Sequence, residues 1–174
     1  MQKVKIIITG PESTGKTTLA KQLAEHYKTI WLPEYARTYV ENLNRPYNYN
    51  DIEKIAEKQI LLEEEYFKNA NKILFVDTGL IITKIWFTQV FKKYPSWLDN
   101  SIKTQKPDLY LLCNYDLPWI SDSVRENGSD NKRQYLFRLY QKEIEKNKFK
   151  YKIISKLGKE RLNSAIKIID KIIY

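Results

Sequence analysis

Residues 10–17 read Gly10-Pro11-Glu12-Ser13-Thr14-Gly15-Lys16-Thr17, a full match to the Walker A pattern. This octet constrains the fold more than any other stretch, because a phosphate loop works only where a strand ends and a helix begins. Its flanks meet that demand. Residues 4–9 form a short, β-branched apolar run, which reads as a buried strand. Over residues 16–27, Leu19, Ala20, Leu23, Ala24 and Tyr27 recur at three- and four-residue steps, the spacing of a helix with one face packed on a sheet. In such a loop Gly10 and Gly15 let the backbone wrap a phosphate. Pro11, Glu12, Ser13 and Thr14 supply the wrapping backbone, and the helix start at Thr18 adds its positive dipole end. Lys16 is expected to reach the β- and γ-phosphates and Thr17 to offer its hydroxyl to Mg²⁺, so ATP with magnesium is the expected ligand pair.

Four more short apolar runs, at 29–32, 73–76, 109–113 and 151–154, are separated by stretches long enough for helical crossovers. Residues 51–69 and 161–173 carry helical spacing of their own. Regular strand–helix alternation predicts an α/β fold, a three-layer P-loop NTPase with a five-stranded parallel sheet. With 174 residues, 43% of them hydrophobic, the chain suits one domain over 1–174. No apolar run approaches the ~20 residues that span a bilayer, so no membrane partner is expected and a cytoplasmic protein is. Cys113, inside an apolar run, reads as a buried, inert thiol.

Asp77 follows the third run and falls at the carboxyl edge of the sheet, where it either holds the magnesium or caps the next helix. Hydrolytic motors usually place a glutamate after this aspartate, whereas here Thr78 and Gly79 follow; nor does Cys113-Asn114-Tyr115-Asp116 match the guanine-reading Asn-Lys-x-Asp. These departures favour a small-molecule kinase with a nucleoside-like acceptor. Such an enzyme needs a group to take the hydroxyl proton and arginines to close over the transferred phosphate. Glu34 and Arg37, in Glu34-Tyr35-Ala36-Arg37, stand one helical turn apart and either face an acceptor or form a surface ion pair. Asp116, Trp119, Asp122 and Arg125 recur every three residues, which aligns them if the chain is helical after Pro118. The polar loop 126–132 between Arg125 and Arg133 reads either as part of a lid around 120–138 or as a charged hairpin.

Taken together, the octet at 10–17, Glu34-Tyr35-Ala36-Arg37, Asp77-Thr78, Pro118-Trp119-Ile120-Ser121-Asp122-Ser123-Val124-Arg125 and the late pair Arg161-Leu162 resemble the ribosylnicotinamide kinase domain of the NadR proteins, a branch of the small P-loop kinases. The likeness runs over nearly the whole chain. It implies phosphorylation of nicotinamide riboside at its 5′-hydroxyl by ATP, giving the mononucleotide for NAD synthesis. It implies roles too: Glu34 as base or ribose ligand, Asp77 as the acidic group near metal and acceptor, and Arg125 and Arg133 as phosphate clamps. Tyr35, Arg37, Asp116, Trp119 and Asp122 join the expected substrate contacts. The adenylyltransferase and DNA-binding domains of bifunctional members have no counterpart in this sequence, so neither of their activities is expected. Gly79 stands where the family often has an acidic or polar residue, and Pro33 where an aromatic residue can stack on the nicotinamide. Trp31, two residues before Pro33, either substitutes as the stacking surface or belongs to the core.

The formal charge of +9 is compatible with nucleic acid, acidic membranes or phosphorylated ligands. Lysines interleave with other residues throughout, with no dense arginine block, so nucleic acid is not an expected partner. The alternatives to the leading reading are a kinase of another nucleoside or metabolite, and a regulatory or nucleic-acid-associated P-loop ATPase.

Overall fold

The computed structural model describes residues 3–121 and 129–173. Its elements run β1 (Val4–Thr9), α1 (Lys16–His26), β2 (Trp31–Leu32), α2 (Tyr35–Glu41), α3 (Tyr49–Asn69), β3 (Ile73–Asp77), α4 (Leu80–Phe91), α5 (Leu98–Gln105), β4 (Leu109–Cys113), α6 (Asp130–Lys146), β5 (Tyr151–Ile154) and α7 (Gly158–Ile173). The five strands form one parallel sheet in the order β2-β3-β1-β4-β5. All five sit where the apolar runs predict them. β2 is shorter than the run at 29–32, and β3 extends one residue further, to include Asp77.

The central strand explains the three layers. Ile6, Ile7 and Ile8 are fully buried, and because successive side chains point to opposite faces they serve two cores. Ile7 joins the larger core, with Ile52 and Ala56 of α3, Ile81 and Phe87 of α4, Leu98 and Ile102 of α5, and Leu136 and Tyr140 of α6. Ile6 and Ile8 join the smaller core, under Leu19 and Leu23 of α1 and Ala165 and Ile169 of α7. Each fully buried isoleucine contributes about 2 kcal/mol through removal of apolar surface from water. Among the described residues no helix is long and apolar enough to cross a membrane.

Helix boundaries follow local chemistry. The Asn48 side chain accepts from the Asp51 N–H while the Asp51 carboxylate accepts from the Asn48 N–H, a reciprocal capping box that starts α3 two residues earlier than the apolar spacing implies. Ser129 accepts from the Lys132 N–H and starts α6. The stretch 130–138, expected to belong to a lid, is therefore the first half of a packed helix with Arg133, Leu136 and Phe137 buried. Residues 118–121 are irregular, so the helix expected after Pro118 does not form there.

Candidate functional site

The loop after β1 is bent by backbone angles that side chains rarely tolerate: Gly10 has φ 145° and Gly15 φ 72°, and even Ser13 lies at φ 56°. At Gly10 conformational freedom and space are both required, because a Cβ there would sit 2.6 Å from the Cys113 carbonyl oxygen on β4. The loop is tied internally by Thr14 Oγ1 and Lys16 Nζ, each donating to the Pro11 carbonyl at 2.8 Å. It is also tied to the irregular segment that follows β4. Ser13 Oγ donates to Pro118 O at 3.1 Å and accepts from the Ile120 N–H at 2.9 Å. Cys113 itself is buried and free, and burial pushes its thiol up, which makes it a poor nucleophile.

One cleft, about 570 Å³ in volume, runs from this loop along the carboxyl ends of the strands. The backbone and side chains of Gly10 and residues 12–18 form one end; Glu34 and Arg37 stand in its wall. At the start of α1, Thr17 Oγ1 donates to Asp77 Oδ2 at 2.5 Å, and Asp77 is fully buried behind it. The other carboxylate oxygen, Oδ1, is buried without a hydrogen-bond partner. Thr17 and Asp77 together present hard oxygen donors with one valence unspent, which fits Mg²⁺ held by one or two protein groups, phosphate oxygens and water. Among the described residues there is no cluster of three or more acidic, His or Cys ligands, so no all-protein metal cage competes with that arrangement.

Glu34 is the N-cap residue of α2, yet its carboxylate makes no capping bond. Part of its surface opens to the cleft, while the protein packed around the carboxyl raises its pKa; the Lys16 ammonium pulls it down and the Asp77 carboxylate pushes it further up. Burial raises Asp77 in the same way, opposed chiefly by Lys16 and the Thr17 hydroxyl. Two carboxylates with one lysine between them have their proton affinities set by each other, a common feature of reactive sites. Arg37 lines the same cleft and pairs with Glu41 at 3.4 Å, a partly exposed helical pair of small energetic weight. Tyr140 of α6 borders the same space, its hydroxyl in the field of Glu12 and Glu34 and its pKa raised by burial.

The far half of the cleft is apolar. Tyr47 and Trp86 meet edge to face with ring centroids 4.9 Å apart, next to Val40, Ile82, Ile85 and Val90. Arg45 and Lys132 add positive charge at the rim. The sequence pattern gave no hint of Trp86, because α4 is apolar on nearly every side and shows no helical periodicity to orient it.

Several expected site residues lie elsewhere. Trp31 does not reach the cleft: it shares its sheet face with Phe75 and packs on the smaller core, its ring covered by the Lys21 ammonium at 5.6 Å. Arg133 is buried, donating to Leu117 O at 2.8 Å and to Asp130 Oδ1 at 2.7 Å, so it braces the chain after β4 and does not face the phosphate loop. Asp116 accepts from Arg161 Nη1 at 3.0 Å and from the Lys156 N–H at 2.7 Å, a structural joint between β4 and α7. Trp119 is half-buried in a separate recess with Tyr115, Leu117 and Arg133. Tyr35 sits beside Tyr39, with ring centroids 6.0 Å apart, and does not line the cleft. Asp122 and Arg125 lie outside the described residues.

A family model described as an AAA domain matches residues 5–161. The trifunctional NAD biosynthesis/regulator protein NadR of Escherichia coli (strain K12) is 29% identical over 150 residues, which make up 84% of this chain and 37% of that protein. The Salmonella typhimurium protein of the same name is 28% identical over 150 residues, again 37% of its length, so the chain spans little more than a third of these relatives. Among solved structures, a NadR protein in complex with NR aligns with a TM-score of 0.83 at 22% identity, over 97% of this chain and 51% of that one. Thymidylate kinase from Ehrlichia chaffeensis aligns with a TM-score of 0.66 at 14% identity, over 97% of this chain and 100% of that one. At these identities the structural likenesses establish the P-loop kinase fold.

Proposed function

Because the chain belongs to the AAA domain family, whose model matches residues 5–161, and carries an intact phosphate loop, we propose that it is an ATP-dependent kinase of a nucleoside, with nicotinamide riboside as the acceptor. One observation carries this reading: Glu34, whose carboxylate makes no capping bond, lines one cleft together with the phosphate-loop lysine and the aromatic pair Tyr47 and Trp86. The NadR relatives, one of them solved in complex with NR, support the choice of acceptor.

In this reading the N–H groups of residues 12–18 and Lys16 hold the triphosphate, and Thr17 and Asp77 hold the magnesium. Bound Mg²⁺ supplies neutralisation of the charge that develops on the transferred group. The 5′-hydroxyl lies beside Glu34, which takes its proton as the oxygen attacks the γ-phosphorus and the bond to the β,γ-bridging oxygen breaks, releasing ADP. Asp77, buried behind Thr17, serves the metal, so the two carboxylates have separate tasks. Arg37 steadies the phosphoryl group in flight, and the base ring packs against Tyr47 and Trp86, the position for which the sequence offered Trp31. In this reading the domain works in the cytoplasm, on a small-molecule nucleoside and with no membrane or nucleic acid partner.

The test is turnover of ATP and Mg²⁺ with nicotinamide riboside and a panel of other nucleosides, resolving phosphorylated product from free phosphate. Riboside-dependent mononucleotide formation is the expected result. Phosphorylation of another nucleoside in preference would transfer the reading to that acceptor, for which the thymidylate kinase-like fold offers an equal frame. Release of phosphate alone would refute it.

A further inference from the structure

Directly after Asp77 the chain makes a turn that its sequence resists. Thr78 has φ 67°, the left-handed region that a β-branched residue almost never occupies. Such a conformation persists only where the surroundings over-determine it. Three contacts do so here. The Thr78 N–H donates to Ile8 O of β1 at 2.9 Å. Gly79 lies so close to β1 that a Cβ there would meet Ile7 Cγ2 at 2.9 Å. The third contact comes from outside the sheet: Gln59 Nε2, on α3, donates to the Thr78 carbonyl at 3.3 Å.

Gln59 is itself held. It is only 5% exposed, and its Nε2 also donates to Glu63 Oε1 at 3.2 Å. Glu63 is 1% exposed, and its other carboxylate oxygen faces Lys5 Nζ of β1 at 3.5 Å. A line of polar groups thus crosses the larger core from Lys5 to the turn that presents Asp77 to Thr17. An amide suits the middle of that line because it offers two protons, one for a carbonyl and one for a carboxylate. A carboxylate at this position has none to give.

Resting on the reading of Asp77 as the magnesium-side carboxylate, we infer that Gln59 is a positioning residue: it locks Thr78 in its left-handed turn and so fixes the aim of the Asp77 carboxylate at Thr17 and the metal. The residue touches neither substrate nor metal. Its effect passes through a single backbone carbonyl.

The experiment compares the full wild-type chain with Gln59→Met, Thr78→Gly and the double variant. Glycine occupies the left-handed region without strain, so it removes the need for the lock. Two readouts require no acceptor: amide hydrogen exchange, and the Mg²⁺ concentration that half-saturates the enhancement of ATP binding in calorimetry. Gln59→Met is expected to speed exchange at residues 78 and 79 by about tenfold with Ile6, Ile7 and Ile8 unchanged. It should also raise the Mg²⁺ requirement about fivefold while leaving metal-free ATP binding unchanged; in the Thr78→Gly background both effects should fall below about twofold. Uniformly faster exchange across β1 and β3, no change at residues 78 and 79, or an undiminished effect in the glycine background would overturn the inference. Failure to phosphorylate nicotinamide riboside would leave these readouts intact, so the two readings fail separately.

Discussion

Arg161 offers the sharpest test of how the phosphate loop is held. Its guanidinium is 5% exposed and reaches across four segments: Nη2 donates to Thr14 O at 2.8 Å and, at the limit of bonding distance, to Asn114 O at 3.4 Å; Nη1 donates to Asp116 Oδ1 at 3.0 Å and Lys156 O at 2.8 Å. Arg161→Met keeps the apolar stem and strands these acceptors. The buried carbonyl of Thr14 costs about 1–2 kcal/mol when left unpaired, and the bonds to the Lys156 carbonyl and the Asp116 carboxylate lose about 1 kcal/mol each because both are only partly buried. The expected loss is about 4 kcal/mol, or about 12 °C in Tm for a chain of this length. In urea denaturation followed by circular dichroism, with a slope of about 2 kcal/mol/M, the midpoint should fall by about 2 M. Arg161→Lys, which cannot span four acceptors, should recover less than half of that. Because Thr14 lies inside the phosphate loop, ATP affinity should drop more than tenfold in the folded variant. A midpoint within about 0.3 M of wild type would refute the reasoning, since it would mean that the four acceptors find water at no cost.

Other consequences follow from the site and its supports. With burial raising the Glu34 pKa, activity should fall as pH drops through a value above the ordinary range of about 4.3, and Glu34→Gln should abolish turnover and with it that limb. The same raised pKa means that the folded state binds this proton more tightly than the unfolded chain. Its stabilising contribution is complete below the ordinary range and lost as pH rises through the raised value, so the Tm advantage of Glu34→Gln over wild type should grow from pH 4 to pH 7. Trp86→Ala should raise the acceptor KM about tenfold and leave the KM for ATP unchanged in steady-state assays. Lys84, 4% exposed, joins Asp99 at 2.7 Å and Glu143 across α4, α5 and α6. Lys84→Met should cost about 2–3 kcal/mol in thermal unfolding, less than a fully buried pair because Asp99 regains water.

β3 and β4 were legible because they are buried on both faces and read as continuous apolar runs, and the phosphate loop because its spacing is fixed by the geometry of wrapping a phosphate. Glu34 and Arg37 also fell where the helical step places them, on the cleft. What escaped depends on tertiary context. α4 carries apolar residues around nearly its whole circumference, so no amphipathic stripe marked Trp86 as facing a cavity. The parity of Trp31 was decided by the register of a two-residue strand, which pairs it with Phe75 and turns it to the far face. α6 did carry a signal: Leu136, Phe137, Tyr140 and Ile144 recur at helical steps behind Ser129. Reading the preceding polar stretch as a loop hid it. Arg133, expected as a clamp, is buried within the first turn of a packed helix, where its two Nη groups donate to Leu117 O and Asp130 Oδ1.

The most direct test is a single assay: purified protein, ATP and Mg²⁺, with and without nicotinamide riboside, with separation of mononucleotide from free phosphate. The account predicts mononucleotide that depends on riboside, one ADP for each, and neither product with Glu34→Gln. ADP formed at the same rate without riboside, and no phosphorylated acceptor, would contradict it.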